Sequence, residues 1–81
     1  MDYVDMGKRV RKQRQLIGLT QQELAERIGV STSFVGHVER GTRKASLETV
    51  INIANALGVS ADTLLQDSLD VMTKPLASDA C

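Results

Sequence analysis

Thr32, Ser33, Gly36, His37 and Arg40 recur at i, i+1, i+4, i+5 and i+8, so on a helix they form one continuous face free of large apolar side chains. The chemistry available there is hydrogen bonding to base edges. The Thr32 and Ser33 hydroxyls donate or accept and so suit several bases, and the Thr32 methyl can pack on a thymine methyl. His37 can donate to guanine N7 or O6 or, protonated, to a phosphate; the other reading is a solvent-facing histidine with no role. Gly36 costs about 1 kcal/mol relative to alanine in mid-helix, and either allows close approach to DNA or stands where nothing larger is required.

These residues need a helix that stands clear of its own domain, and the flanking pattern supplies one. In QQELAERIGVSTSFVGHVER, residues 21–40, Leu24, Ala25 and Ile28 repeat at the spacing of one helix face, Gly29 and Val30 interrupt it, and Val35 and Val38 resume it. Two short helices joined by a tight turn at Gly29 fit that pattern. The second helix would keep its valines on the core and turn the polar face outward, in the shape that enters a major groove.

The rest of the chain reads as helical. Helix 1 is expected from Asp2 or Asp5 to Gly18, with Met6, Val10 and Ile17 inward. Thr20 and Glu23 form a T-x-x-E capping box for helix 2, Ser31 caps helix 3, and Ser46 precedes helix 4 with a Leu47, Val50, Ile51, Ala54, Leu57 stripe. Ser60 is expected to cap helix 5, with Leu64 and Leu65 as anchors. Glycines at 18, 29, 41 and 58 stand where four of the helices should stop. Residues 1–68 are read as the domain and 69–81 as a tail, loose beyond Lys74 or supporting a dimer.

Residues 14–44, with GLTQQELAERIGVS followed by VERG, resemble the XRE-type helix-turn-helix family of phage repressors, Cro proteins and restriction-modification controller proteins, and the similarity continues through LGVSADTLL to cover roughly residues 6–68. The resemblance implies an all-α, compact five-helix lambda-repressor-like DNA-binding domain with the helix-turn-helix at helices 2 and 3. It also implies base contacts at the positions held here by Thr32, Ser33 and His37. The glutamines some of those repressors use are missing, so no operator sequence carries over.

Phosphate contacts set register and supply affinity without specifying sequence. Arg40 and the loop Gly41-Thr42-Arg43-Lys44 bring cations, a hydroxyl and backbone N–H groups beside the reading face; Gln21 offers an amide at the start of helix 2, where N-terminal N–H groups favour anions. The family uses both places in this way. Phe34 falls between the core and DNA faces, either as a packing contact or against a sugar or thymine methyl. Lys8, Arg9, Arg11 and Lys12 are read as solvated. Arg14 shares the inward stripe of helix 1 and Glu39 follows Val35 by one turn, so these opposite charges suggest a partly buried ion pair, unless both snorkel to water. The resemblance supports the pair and implies that it orients helix 3.

Composition sets the competing classes. Eighty-one residues allow one small domain, 42% of them hydrophobic, with no run long enough to span a bilayer and no apolar signal core at the start, so a cytoplasmic protein is expected. Net charge is zero, but residues 1–44 hold nine Lys or Arg against five Asp or Glu, while residues 45–81 hold one against five, giving a positive and a negative side. One His, a terminal Cys81 and no paired carboxylates leave no nucleophile or metal set, so neither an enzyme nor a cofactor is expected. The reading is a transcriptional regulator that binds double-stranded DNA as a homodimer on a palindromic operator, a small repressor or controller, with Leu64, Leu65, Leu69 and Met72 as the dimer surface. The alternative is an antitoxin-type protein-interaction module that also autorepresses. Operator, sign of regulation and regulated genes are not legible.

Overall fold

Short polar side chains start four of the helices in the computed structural model, which describes residues 2–65. Asp2 accepts from the Val4 and Asp5 amides and opens α1 (Tyr3–Leu16). Thr20 and Glu23 exchange side-chain and backbone bonds in a full capping box before α2 (Gln21–Ile28). Ser31 caps the Phe34 amide at the head of α3 (Thr32–Arg40), and Ser46 caps Thr49 at the head of α4 (Leu47–Leu57). The fifth helix, α5 (Ala61–Leu64), is a single turn, and its Ser60 bonds the Thr63 hydroxyl at 3.2 Å instead of capping a backbone amide.

The cap bonds also hold two carboxylates below their ordinary range: the Thr20 amide lowers Glu23, and the Asp5 amide, ahead of that of Val4, lowers Asp2. Because the folded-state value is the depressed one, each cap contributes above the usual carboxylate range and is lost as pH falls through it.

The turns that follow are glycine chemistry. Gly29, Gly41 and Gly58 sit at the C-caps in the left-handed region. Gly41 is doubly constrained, since an added Cβ would lie 2.6 Å from the Val4 Cα, so the loop after α3 rests directly on the start of α1.

Among the described residues all regular structure is helical, and none of the helices is long and apolar enough to cross a membrane. α1 lies against α3, α4 and α5, while α2 packs on α3 and α4. The core between them is Met6, Val10, Leu19, Leu24, Val35, Val38, Val50, Ile53, Leu57 and Leu64, together with the small side chains of Ala25, Ala45 and Ala54.

Several residues face differently from the expectation. Ile17 is 48% exposed because α1 stops at Leu16 and Ile17 is its non-helical cap, so the helical period no longer applies; Leu19 is buried instead. On α4 the core row is Val50, Ile53, Ala54 and Leu57, which leaves Leu47 and Ile51 61% and 42% exposed. Ile51 lies about 100° around the helix from Val50, on the side away from Ile53. Leu64, expected on a dimer surface, is 1% exposed in the single chain: α5 turns it inward against α1 and α4, so it has no free surface to offer. Leu65 remains half-buried. Leu69, Met72 and the proposed boundary at residue 68 lie outside the described residues.

Where α1 crosses α3 there is no room for a side chain. A Cβ on Gly7 would fall against the Val38 carbonyl oxygen and 2.5 Å from that of Glu39, both rigid backbone. Gly7→Ala should therefore destabilise the fold by about 2–3 kcal/mol or more in a denaturant melt, although alanine is the better helix former. Unchanged stability would mean that α1 and α3 do not cross at this distance.

Candidate nucleic-acid interface

The helix-turn-helix is built by one sharp turn. Gly29 takes φ 73° and ψ 35°, and its amide and that of Val30 both return to the Ala25 carbonyl, so the chain leaves α2 and re-enters a helix three residues later. α3 then sets Val35 and Val38 into the core, while Thr32, Ser33 and Arg40 stand exposed and His37 half-exposed.

The sidedness of α3 is held by a buried ion network. Arg14 and Glu39 are only 8% and 6% exposed. Arg14 Nε donates to Glu39 Oε2 at 2.6 Å, its Nη2 donates to Oε1 at 3.0 Å, and its Nη1 donates to the Leu19 carbonyl at 2.8 Å. The fork-on-fork geometry uses both carboxylate oxygens, which is how a guanidinium compensates a buried anion. Gln21 Nε2 adds a third donor to Glu39 Oε1 at 3.0 Å. The Gln21 amide, expected to be available to a phosphate, is thus directed at Glu39, because the α2 N-terminus abuts the inward face of α3. What the start of α2 offers an anion is main-chain N–H from its first turn.

Gly36 also departs from the expectation. It is buried, because the Arg40 side chain lies back over it. His37 is tied to the following loop: its Nδ1 is 2.9 Å from Thr42 Oγ1, which donates to the His37 carbonyl at 3.3 Å, and the Thr42 amide bonds the same carbonyl. With the hydroxyl proton on that carbonyl, Thr42 accepts from Nδ1–H and Nε2 is an acceptor; with the hydroxyl donating to Nδ1, Nε2–H is a donor. The first form matches the amino group of adenine or cytosine, the second N7 or O6 of guanine.

Beside this face the loop carries exposed Arg43 and Lys44. The Arg43 guanidinium stands 5.8 Å from the centre of the half-buried Phe34 ring, which steadies it without neutralising its charge. Thr32, Ser33, His37, Arg40, Arg43 and Lys44 therefore come together on and beside one outer face of α3. The roles of Gln21 in the network and of Gly7 beneath it were missed from sequence. Glutamine after a cap is also the ordinary start of a helix, and a glycine within an otherwise helical run has no local signature. Among the described residues no group of His, Cys, Asp or Glu could hold a metal ion.

Comparison with known proteins gives the same picture. Residues 10–64 match the helix-turn-helix family HTH_3. The chain is 45% identical over 58 residues to the HTH-type transcriptional regulator Rv0474 of Mycobacterium tuberculosis, a match covering 72% of this chain and 41% of that protein, so it spans about two-fifths of that relative's length. It superimposes on the restriction-modification controller protein C.AhdI from Aeromonas hydrophila with a TM-score of 0.75 and 41% identity, over 78% of this chain and 96% of that one. The biofilm master regulator SinR, solved in complex with DNA, matches with a TM-score of 0.70 and 33% identity over 74% and 97% of the two chains.

The network makes a direct test possible. Glu39→Ala leaves Arg14 buried without its anion and should cost about 3 kcal/mol or more, and Arg14→Ala a comparable amount. In denaturant melts the double variant should lose at least about 1 kcal/mol less than the sum of the two. Additive losses would show that the two groups do not interact.

Proposed function

The chain belongs to the helix-turn-helix family, and on that basis we propose that it is a transcriptional regulator that binds double-stranded DNA sequence-specifically, as a homodimer on a palindromic operator, in the manner of a small repressor or controller. The observation that carries the reading is the outer face of α3, which is polar, exposed and flanked by Arg43 and Lys44, while its inner face is anchored by Arg14 and Glu39. The kinship with C.AhdI supports the controller role, and that with DNA-bound SinR supports the ligand.

In this reading the bases are met by Thr32, Ser33 and His37, and phosphates by Arg43, Lys44, Thr42 and the first-turn amides of α2. Phe34 serves the backbone contact by steadying Arg43. One such helix reads only a few base pairs, too few to find one site in a genome, whereas a two-fold dimer sets two of them about 34 Å apart on one side of the duplex. With Leu64 in the core, the apolar residues still at the surface include half-buried Leu65, exposed Leu47 and Ile51 of α4, and exposed Val4, Leu16 and Ile17 at the two ends of α1.

Salt dependence tests the reading. Two subunits engaging Arg43, Lys44 and one or two further cations neutralise about six to eight phosphates, so log K should fall against log salt with a slope of about −5 to −7. Lys44→Ala should weaken operator and scrambled duplex alike and reduce the slope by about two in a dimer. His37→Ala should cost about 1–3 kcal/mol on the selected operator and little on the scrambled one. A flat salt response, or no binding to any duplex, overturns the proposal.

A further inference from the structure

Gly36 has no side chain and lies in the middle of a surface helix, yet it is buried. What covers it is the end of Arg40. A Cβ built at Gly36 would stand 3.1 Å from Arg40 Nη1, 3.5 Å from Nη2 and 3.6 Å from Cζ. Thr32, Gly36 and Arg40 form one row at i, i+4 and i+8, and Arg40 runs back along it toward the N-terminal end of α3, the direction long side chains on helices favour. The guanidinium therefore sits about one turn nearer Thr32 than its own Cα does. The Arg40 side chain makes no hydrogen bond or ion pair with any other described residue, so its guanidinium N–H donors keep their capacity.

The rest of the face lacks a forked donor. The Thr32 and Ser33 hydroxyls adapt to several bases, and His37, with Nδ1 bonded to Thr42, has one free ring nitrogen to offer. A guanidinium is the group that pairs with O6 and N7 of guanine at once.

We propose that Gly36 and Arg40 act as one reading element, in which the missing side chain at Gly36 lets Arg40 lie along the reading face and present its fork to a guanine in the major groove instead of to a phosphate. This rests on the DNA-binding reading. Glycine is then required at position 36 for the path of Arg40, and close approach of the helix backbone to DNA is a separate matter. Each half-site gains one G·C pair read by Arg40.

Two substitutions separate this from a phosphate contact. Arg40→Lys keeps the charge and loses the fork. Gly36→Ala keeps the arginine and pushes its guanidinium aside, and since only the end of a flexible side chain must give way, the domain should melt no lower than the parent. Both are compared with the parent by selection from random duplexes and by titration of the selected operator and a scrambled duplex. Arg40→Lys should bind the operator at least about tenfold more weakly and the scrambled duplex within about twofold, and lose a guanine preference at one base pair per half-site. Gly36→Ala should weaken the same preference. If Arg40→Lys selects the same bases as the parent, or weakens both duplexes by one factor, Arg40 is a phosphate contact and the assignment falls. If Arg40→Lys abolishes the preference while Gly36→Ala leaves it intact, the coupling to Gly36 falls. A parent that selects no duplex overturns the DNA-binding reading itself, and this assignment with it.

Discussion

The carboxylate of Glu39 is the point on which the described fold turns. It is nearly out of reach of water, so its charge has to be met by protein donors, and three converge on it: Nε and Nη2 of Arg14 on α1 and the Gln21 side-chain amide on α2. Arg14 passes the constraint on to the α1–α2 connection through the Leu19 carbonyl. A buried pair of this kind adds little net stability over a well-packed apolar contact, because desolvation offsets most of the attraction. What it supplies is angular definition, since fork-on-fork geometry tolerates little rotation of α3 about its own axis.

Two steric contacts reinforce that definition from the α1 side. At Gly7 the backbones of α1 and α3 meet with no side chain between them, and at Gly41 the loop after α3 rests on Val4. The C-terminal end of α3 is thus held by an ion network, by a backbone crossing and by a left-handed turn against the start of α1. Side chains on the opposite face inherit a fixed position from a core they do not touch.

The cations on that face are ordered in a way that leaves them available. Arg43 lies over the Phe34 ring and Arg40 over the bare backbone of Gly36, both uncharged surfaces. A carboxylate partner would hold an arginine equally well but would have to be displaced by an incoming anion. A ring face or a glycine restricts the side chain while leaving its field unneutralised, so less conformational entropy remains to be lost on binding.

Sequence alone determined what depends on neighbours along the chain. The Thr20–Glu23 box, the Ser31 and Ser46 caps and the glycine turns are bonds between residues a few positions apart, so their chemistry is complete in the string, and with the apolar period they define the helices and the turn between α2 and α3. Arg14 and Glu39 were legible as two charges on inward rows, and the family resemblance supported pairing them. Only the tertiary structure decided the phase and depth of each helix. An apolar stripe spans a wide arc, and the partners present decide which part of it is covered, so Leu47 and Ile51 went to solvent, Ile53 to the core, and Leu64 inward from its expected dimer surface. The same holds for glycine: position 7 marks a backbone crossing and position 36 lies beneath an arginine, because a residue without a side chain shows its purpose only through what occupies the space beside it.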